Sequence, residues 1–321
     1  MAKTILDIVK ECDNFPSHNE PTLQSEALSG SYAFRVNGCQ AILGYILPNI
    51  VEKMHWSESW VINHQEERTV TLATPANATP EMRSYVVKET LQVTRQLGTT
   101  ELLKGWRGER FPVYGPDGET LLEMERCASA LFGIVTYGVQ LIAYVRDEQG
   151  MRLWISRRSE KKQTYAGMLD TTAAGGLVAG KLPIEGVICE AQEEASIPED
   201  VLRERVRPMS TLTYFHIRGD KAGGEVGLFQ PEVEYTYELE LDQDVVPQPR
   251  DSEVEGVQLY TVEEVLSVLR KGRFKPNSAI VIVEFLIRHG ILNEHTEEDY
   301  AEILLHLHRA LEIPLCILPS I

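Results

Sequence analysis

The stretch Ala173–Ile197, AAGGLVAGKLPIEGVICEAQEEASI, decides the reading of this chain. Its second half sets Glu190, Glu193 and Glu194 three and four residues apart, among the short apolar residues Val187, Ile188, Ala191 and Ala195. On a helix, positions i, i+3 and i+4 share one face with Cβ atoms about 5–6 Å apart. Three carboxylates are therefore expected to face one point. In water alone they repel one another. A divalent cation reverses the sign of that interaction, because Mg²⁺ is held through one or two carboxylates, waters and substrate phosphate oxygens. The competing reading is a solvated acidic helix face. Three features weigh against it: the apolar stripe beside the acids, the loop before the helix, and the sequence Ala174-Gly175-Gly176, which permits close backbone approach to a ligand. Gly180 and Pro183 shape a loop directly before the helix.

Outward from this segment, the bulk numbers describe an ordinary globular chain. It has 321 residues, 43% hydrophobic and 25% charged, which fits one large or two modest domains. The net charge of −17 disfavours a nucleic-acid backbone or an anionic membrane as the main partner; small phosphorylated molecules remain reachable through metal cations. The five cysteines are scattered, with no CxxC and no Cys/His cluster, so neither a disulfide frame nor a zinc site is expected. The opening MAKTILDIVKECDNF lacks a signal-type apolar core. No apolar run reaches the roughly 18 residues of a membrane span. The expectation is a soluble protein of a reducing compartment, most simply the cytoplasm.

The pattern along the chain predicts an α/β (α+β) protein with two parts: residues 1–131, a smaller mixed domain, and residues 132–321, which hold the glutamate segment and a C-terminal helix. Ile5, Ile8 and Val9 recur at helical spacing. Tyr32–Val36, Asn37-Gly38 and Gln40–Tyr45 read as strand, tight turn and strand. Thr79-Pro80-Glu81 opens a helix that Gly98 closes, and Pro116-Asp117-Gly118 marks a second hairpin. In the second part, Val139–Val145 and Arg152–Ser156 pair across a turn at Asp147–Gly150. Strands follow at Ser210–His216 and Val233–Leu241. Thr261-Val262-Glu263-Glu264 is a capping box for a helix ending near Gly272, and Thr296–Ala310 reads as the last helix.

The segment Ala173–Ile197 resembles the signature of the Nudix hydrolases, in which Gly, five residues, Glu, seven residues and Arg-Glu-apolar-x-Glu-Glu-x-Gly-apolar form a loop–helix–loop. Glu190, Glu193 and Glu194 match the metal-binding acids, Gly176 the first glycine and Ile197 the closing apolar residue. The chain departs from the signature in a loop one residue short, with Lys181 for the first Glu, Cys189 for the Arg that braces the acids, and Ser196 for the second Gly. Trp106–Pro116, Glu125–Val145, Leu153–Gly176, Pro249–Gly256 and Arg273–Gly290 are similar to one fungal and plant subgroup, related to thiamin pyrophosphokinase fusions. That subgroup carries an N-terminal domain of unknown function ahead of the Nudix domain.

The resemblance implies a Nudix α/β/α sandwich and hydrolysis of a small-molecule diphosphate, such as oxo- or oxythiamin diphosphate, to the monophosphate and phosphate. Mg²⁺ is the expected ion, with Mn²⁺ as the alternative. Glu190, Glu193 and Glu194 would bind metal, helped by backbone of Gly175 or Gly176, and Glu194 or Glu253 would activate water. Asp251, Glu253 and Glu255 share a late loop, and extended spacing does not separate the last two. For the diphosphate, Arg157, Arg158 and Lys161 are candidates, with Lys162 beside them. Asp170 and Tyr165 precede the signature and are candidates for the pocket wall. Trp106 and Trp154 are expected in the core rather than stacked on a ring. Cys189 is expected to pack beside the acids rather than attack. Rival readings are a Nudix pyrophosphatase on a nucleoside diphosphate derivative, an isoprenoid diphosphate isomerase, whose histidine ligands are not evident, and a weakly active diphosphate-binding module. Oligomeric state is open.

Overall fold

The computed structural model describes residues 2–250 and 252–320. The first part of the chain runs α1 (Ile5–Cys12), α2 (Pro21–Ala27), β1 (Tyr32–Val36), β2 (Gly44–Ile46), α3 (Pro48–Lys53), β3 (Trp60–Asn63), β4 (Thr69–Leu72), α4 (Pro80–Leu97), β5 (Arg110–Tyr114), β6 (Thr120–Glu125) and α5 (Ser129–Phe132). The second runs β7 (Thr136–Asp147), β8 (Gly150–Arg158), β9 (Leu169–Asp170), β10 (Ala173–Gly176), α6 (Pro183–Ala195), α7 (Glu199–Arg205), β11 (Arg207–Ile217), β12 (Phe229–Glu240), β13 (Val254–Thr261), α8 (Val262–Arg270), α9 (Pro276–Arg288) and α10 (Tyr300–Leu307).

Strand β7 organises the second part. Its run YGVQLIAYV is buried on both faces, as a central strand covered on two sides requires. The sheet order is β11-β12-β7-β8-β13, with β12 and β7 parallel. On the other flank β7 has two partners in turn. Its first half pairs with β10, Val139 opposite Gly175, and its second half with β8, Tyr144 opposite Leu153. The sheet splits there, and the candidate site lies against the split. One face packs on α6, joining Val139, Leu141, Val233 and Tyr235 to Val187, Ile188 and Ala191. The other packs on α9, joining Ile142, Tyr144 and Leu212 to Ile280, Val283 and Phe285. The fold is the mixed α/β sandwich expected.

The first part forms a four-stranded sheet, β2-β1-β4-β3, around Phe34, Trp60, Leu72, Val87 and Leu91. Helix α4 has the anticipated caps: Thr79 Oγ1 accepts from Met82 N–H, and Gly98 turns out at φ +67°. Helix α8 has the full capping box between Thr261 and Glu264. Strands β5 and β6 form the hairpin read at Pro116–Gly118. Two expectations are corrected. The strand paired with β1 starts at Gly44, not Gln40, so Asn37-Gly38 opens a longer loop rather than a two-residue turn. The last helix is Tyr300–Leu307, shorter than Thr296–Ala310. The stripe Ile5, Ile8, Val9 and Cys12 of α1 is buried against α9 and α10, because α9 is apolar around most of its circumference and needs cover on its outer side.

Candidate active site

Helix α6 starts cleanly, with Leu182 extended at the cap and Pro183 in the first turn. Its apolar residues dock on the sheet, which turns the acidic face towards a cleft of about 500 Å³. Glu190, Glu193 and Glu194 all reach the cleft wall. Glu194, 7% exposed, accepts a 2.9 Å hydrogen bond at Oε2 from Ala174 N–H. Glu190 lies on the glycine strand: a Cβ added at Gly175 would stand 2.0 Å from Glu190 Cδ. Glu193 is exposed at the rim, where Cys189 Sγ lies 3.2 Å from its Oε1.

The three acids thus share a face without converging on one point. Among the described residues no three Asp, Glu, His or Cys side chains are close enough to hold a metal ion as placed.

Burial pushes Glu190 up to about 7, against the pull of Arg126 and with the neighbouring Glu193 adding to the rise. Burial pushes Glu194 up to about 8, reinforced by Asp170. Two largely desolvated carboxylates of this kind suit a hard divalent cation, which takes oxygen donors, so the donor set fits Mg²⁺ or Mn²⁺. Glu253 behaves oppositely. Burial alone would raise it, but the hydrogen bond and charge of Lys162, with Arg107 behind, hold it below the ordinary carboxylate value.

Lys162 is the hinge of this arrangement. Its Nζ donates to Glu253 Oε2 and stands 3.8 Å from Glu194 Oε1. Arg107 Nη1 donates to Glu253 Oε1 at 3.2 Å. Opposite the glutamates, the β5–β6 hairpin contributes Glu109, Phe111 and Arg126 to the cleft. Arg126 is anchored to Glu109 at 2.7 Å and lies over Gly176, where a Cβ would come within 3.1 Å of its Cζ. Sequence reading ranked Lys162 low and missed Arg107, Glu109 and Arg126, because nothing local shows that a hairpin so far upstream folds over α6.

The other expected residues separate. Arg157 and Arg158 alternate along β8 and so point to opposite faces. Arg158 reaches the cleft wall, with its guanidinium held by Asp170 at 2.8 Å and by the Thr164 carbonyl at 3.0 Å. Arg157 is a correction: it sits outside the cleft, 3.3 Å from Glu255 and 3.8 Å from Glu160. Lys161 is exposed and also outside the cleft wall. Asp170 is buried beneath the wall, bonded to Arg158 and Ser278, so it positions Arg158 instead of meeting a ligand. Tyr165 does line the cleft, at φ +50°, with its hydroxyl 3.3 Å from His216 Nε2.

Glu253 faces the cleft while Glu255 pairs with Arg157 on the outer side, because a bulge between Val254 and Gly256 breaks the alternation. Asp251 lies outside the described residues. Lys181 lines the cleft mouth beside Cys189, not bulk solvent alone. Trp154 is core, and Trp106 packs on the first sheet's cluster with Arg95 over its ring at 5.4 Å.

Residues 136–282 match the NUDIX domain, and residues 4–136 match a domain of unknown function, DUF4743. An uncharacterized protein of Saccharomyces cerevisiae is 37% identical over 218 residues, 66% of this chain and 64% of that one. Nudix hydrolase 20, chloroplastic, of Arabidopsis thaliana is 35% identical over 66% of this chain and 54% of its own length. Nudix hydrolase 24, chloroplastic, of the same plant is 34% identical over 66% of this chain and 56% of its own. The chain therefore spans somewhat over half the length of these relatives. Among the described residues no helix is long and apolar enough to cross a membrane.

Proposed function

We propose that this chain, which carries a Nudix domain behind a DUF4743 domain, is a divalent-metal-dependent hydrolase of small-molecule diphosphates. The observation that carries the reading is the placement of Glu190, half-buried, and Glu194, buried: both on one face of α6, against the side-chain-free backbone of Gly175 and the N–H of Ala174. Glu190, Glu193 and Glu194 would hold the cation, with backbone of Gly175 or Gly176 at hand. The cation, bound there, supplies charge neutralisation for the phosphates and activation of water. Arg126, Lys162 and Arg107 bring positive charge to the same end of the cleft, suited to phosphate oxygens.

Water adds to a phosphorus of the anhydride, the bridging P–O bond breaks towards the leaving phosphate, and the proton from water needs an acceptor in the site. Glu194, raised by burial, is the more basic candidate; Glu253, held ionised by Lys162, is the weaker base and the better anchor for that lysine. The organic substrate we favour is oxo- or oxythiamin diphosphate, converted to the monophosphate and inorganic phosphate. The support is the similarity of Trp106–Pro116, Leu153–Gly176 and Arg273–Gly290 to the thiamin-related subgroup. Phosphate release with Mg²⁺ from thiamin diphosphate, its oxo and oxy forms and ADP-ribose tests this. Preference for the oxidised thiamin forms is expected. Preference for ADP-ribose would replace the substrate, and tight binding without turnover would reduce the chain to a diphosphate-binding module. Glu194→Gln should lower kcat by about 100-fold or more; undiminished turnover would remove Glu194 as the base.

A further inference from the structure

The segment between β8 and β9 carries Lys162 to the glutamates. Its turn is pinned through the backbone to the very residue its ammonium then meets. Ser159 N–H donates to the Glu253 carbonyl at 2.9 Å, and Lys162 N–H donates to the Ser159 carbonyl at 3.1 Å. Just before the turn, Arg158 is fixed by Asp170 at 2.8 Å. The lysine is therefore delivered by a short tethered loop, and its side chain is only 14% exposed. Holding so long a side chain still has an entropic cost, which its contacts must offset.

Those contacts are with two acids from different elements. Lys162 Nζ donates to Glu253 Oε2 and stands 3.8 Å from Glu194 Oε1. The other oxygen of each acid is engaged elsewhere: Glu194 Oε2 by Ala174 N–H at 2.9 Å, and Glu253 Oε1 by Arg107 at 3.2 Å. All three side chains line the cleft, so the bridge belongs to its wall and is not a brace behind it. An ammonium has three N–H donors, which leaves capacity for a phosphate oxygen. Neutralising paired acids while meeting a phosphate is the work of the second cation in a two-metal site. The remaining acids differ. Arg126 and Lys181 pull on Glu190 only from a distance, and among the described residues neither Glu190 nor Glu193 forms an ion pair.

We infer that Lys162 takes the place of a second dication, so that the site holds a single metal ion on the acids of α6 and leaves Glu253 to the lysine. The inference rests on the metal-dependent reading of the same site and adds to it the number of ions. A dication set between Glu194 and Glu253 would meet a tethered ammonium and a guanidinium at short range. In a partly desolvated wall such like-charge repulsion is poorly screened. Expelling Lys162 to make room would also break the contacts that fix its loop.

The test counts ions on the full chain with Mn²⁺ alone, at mildly alkaline pH, reading free Mn²⁺ by electron paramagnetic resonance. The unsubstituted chain should bind one ion and Lys162→Ala two, the second producing the spin-coupled spectrum of a close Mn²⁺ pair. Alanine is the variant needed, because an apolar side chain of lysine's length would still fill the space. Should it fail to fold, Lys162→Ser, equally short, carries the test. Lys162→Arg should keep one ion, and Glu253→Gln added to Lys162→Ala should return the count from two to one. Two ions on the unsubstituted chain, or one on Lys162→Ala, overturns the inference and leaves the hydrolase reading intact. No ion on either protein removes the metal-dependent reading together with this one. The expected counts without phosphate release from any diphosphate would remove the hydrolase reading and leave this one standing.

Discussion

The carboxylate of Glu190 occupies the space that a side chain at Gly175 would need: the two would meet at 2.0 Å. Helix and strand are thereby locked in a relation that only glycine permits, and the acid is held against the backbone. Gly175→Ala should move Glu190 and lower kcat by about 100-fold, since misplacement of a catalytic group by about 1 Å has that cost. Circular dichroism melts on the same protein check that the fold survives, because the change is local to the cleft.

Lys162 bridges Glu253 and Glu194 across the cleft. Lys162→Met leaves Glu253 without the partner that keeps its carboxyl low, so its titration moves to higher pH. The acidic limb of the kcat/KM profile should shift upward with it, and KM for the diphosphate should rise about tenfold as a phosphate-facing cation is lost.

Metal and pH should act together on stability. Glu190 and Glu194 titrate near 7 and 8 in the folded protein, above the ordinary value of an unfolded chain. The folded state therefore holds their protons more tightly, and metal-free stability from this pair falls as pH climbs from the ordinary carboxylate range to about 8. On the proposed function, a divalent cation such as Mg²⁺ would replace those protons. Thermal melts should show a larger Mg²⁺-induced rise in Tm at pH 8 than at pH 6, and Glu194→Gln should raise the metal-free Tm at pH 8.

Ser196 ends α6 in the left-handed region, at φ +53°. That conformation suits glycine and costs another residue about 1 kcal/mol. Ser196→Gly should raise Tm by about 1–3 °C, measured by calorimetry, with kcat unchanged because the side chain is exposed and away from the cleft wall.

The basic residues should sort by face. Arg126→Ala should lower kcat/KM by about tenfold or more, through loss of a charged partner for phosphate. Arg157→Ala, on the outer face with Glu255, should stay within about twofold, as an exposed pair contributes little. Steady-state kinetics on both variants decide between the face assignment and the simple proximity of Arg157 to Arg158 in sequence.

Much of this was legible in the sequence where the information is local. The 3.6-residue period put the three glutamates on one face, glycines marked the strand beneath them, and both the α8 capping box and the β5–β6 turn were written in adjacent residues. Alternation along β8 already separates Arg157 from Arg158. What escaped was non-local or depended on irregularity. A single bulged residue decided between Glu253 and Glu255. The amphipathic stripe of α1 announced a helix but not its partner. Arg126 and Lys162 gained their positions only when distant segments met across one cleft.

The placement of α1 has a consequence for how the chain is divided. Its apolar stripe, drawn from the opening residues, fills a trough on α9 and α10 near the other end of the sequence, while the β5–β6 hairpin roofs the glutamates from the opposite side. Residues of the DUF4743 match thus hold the second part of the chain at two points, like a clasp closed around it. An excision at residue 136 would cut through shared interior and not a tether, leaving a sandwich with a bare greasy channel and an unroofed basin.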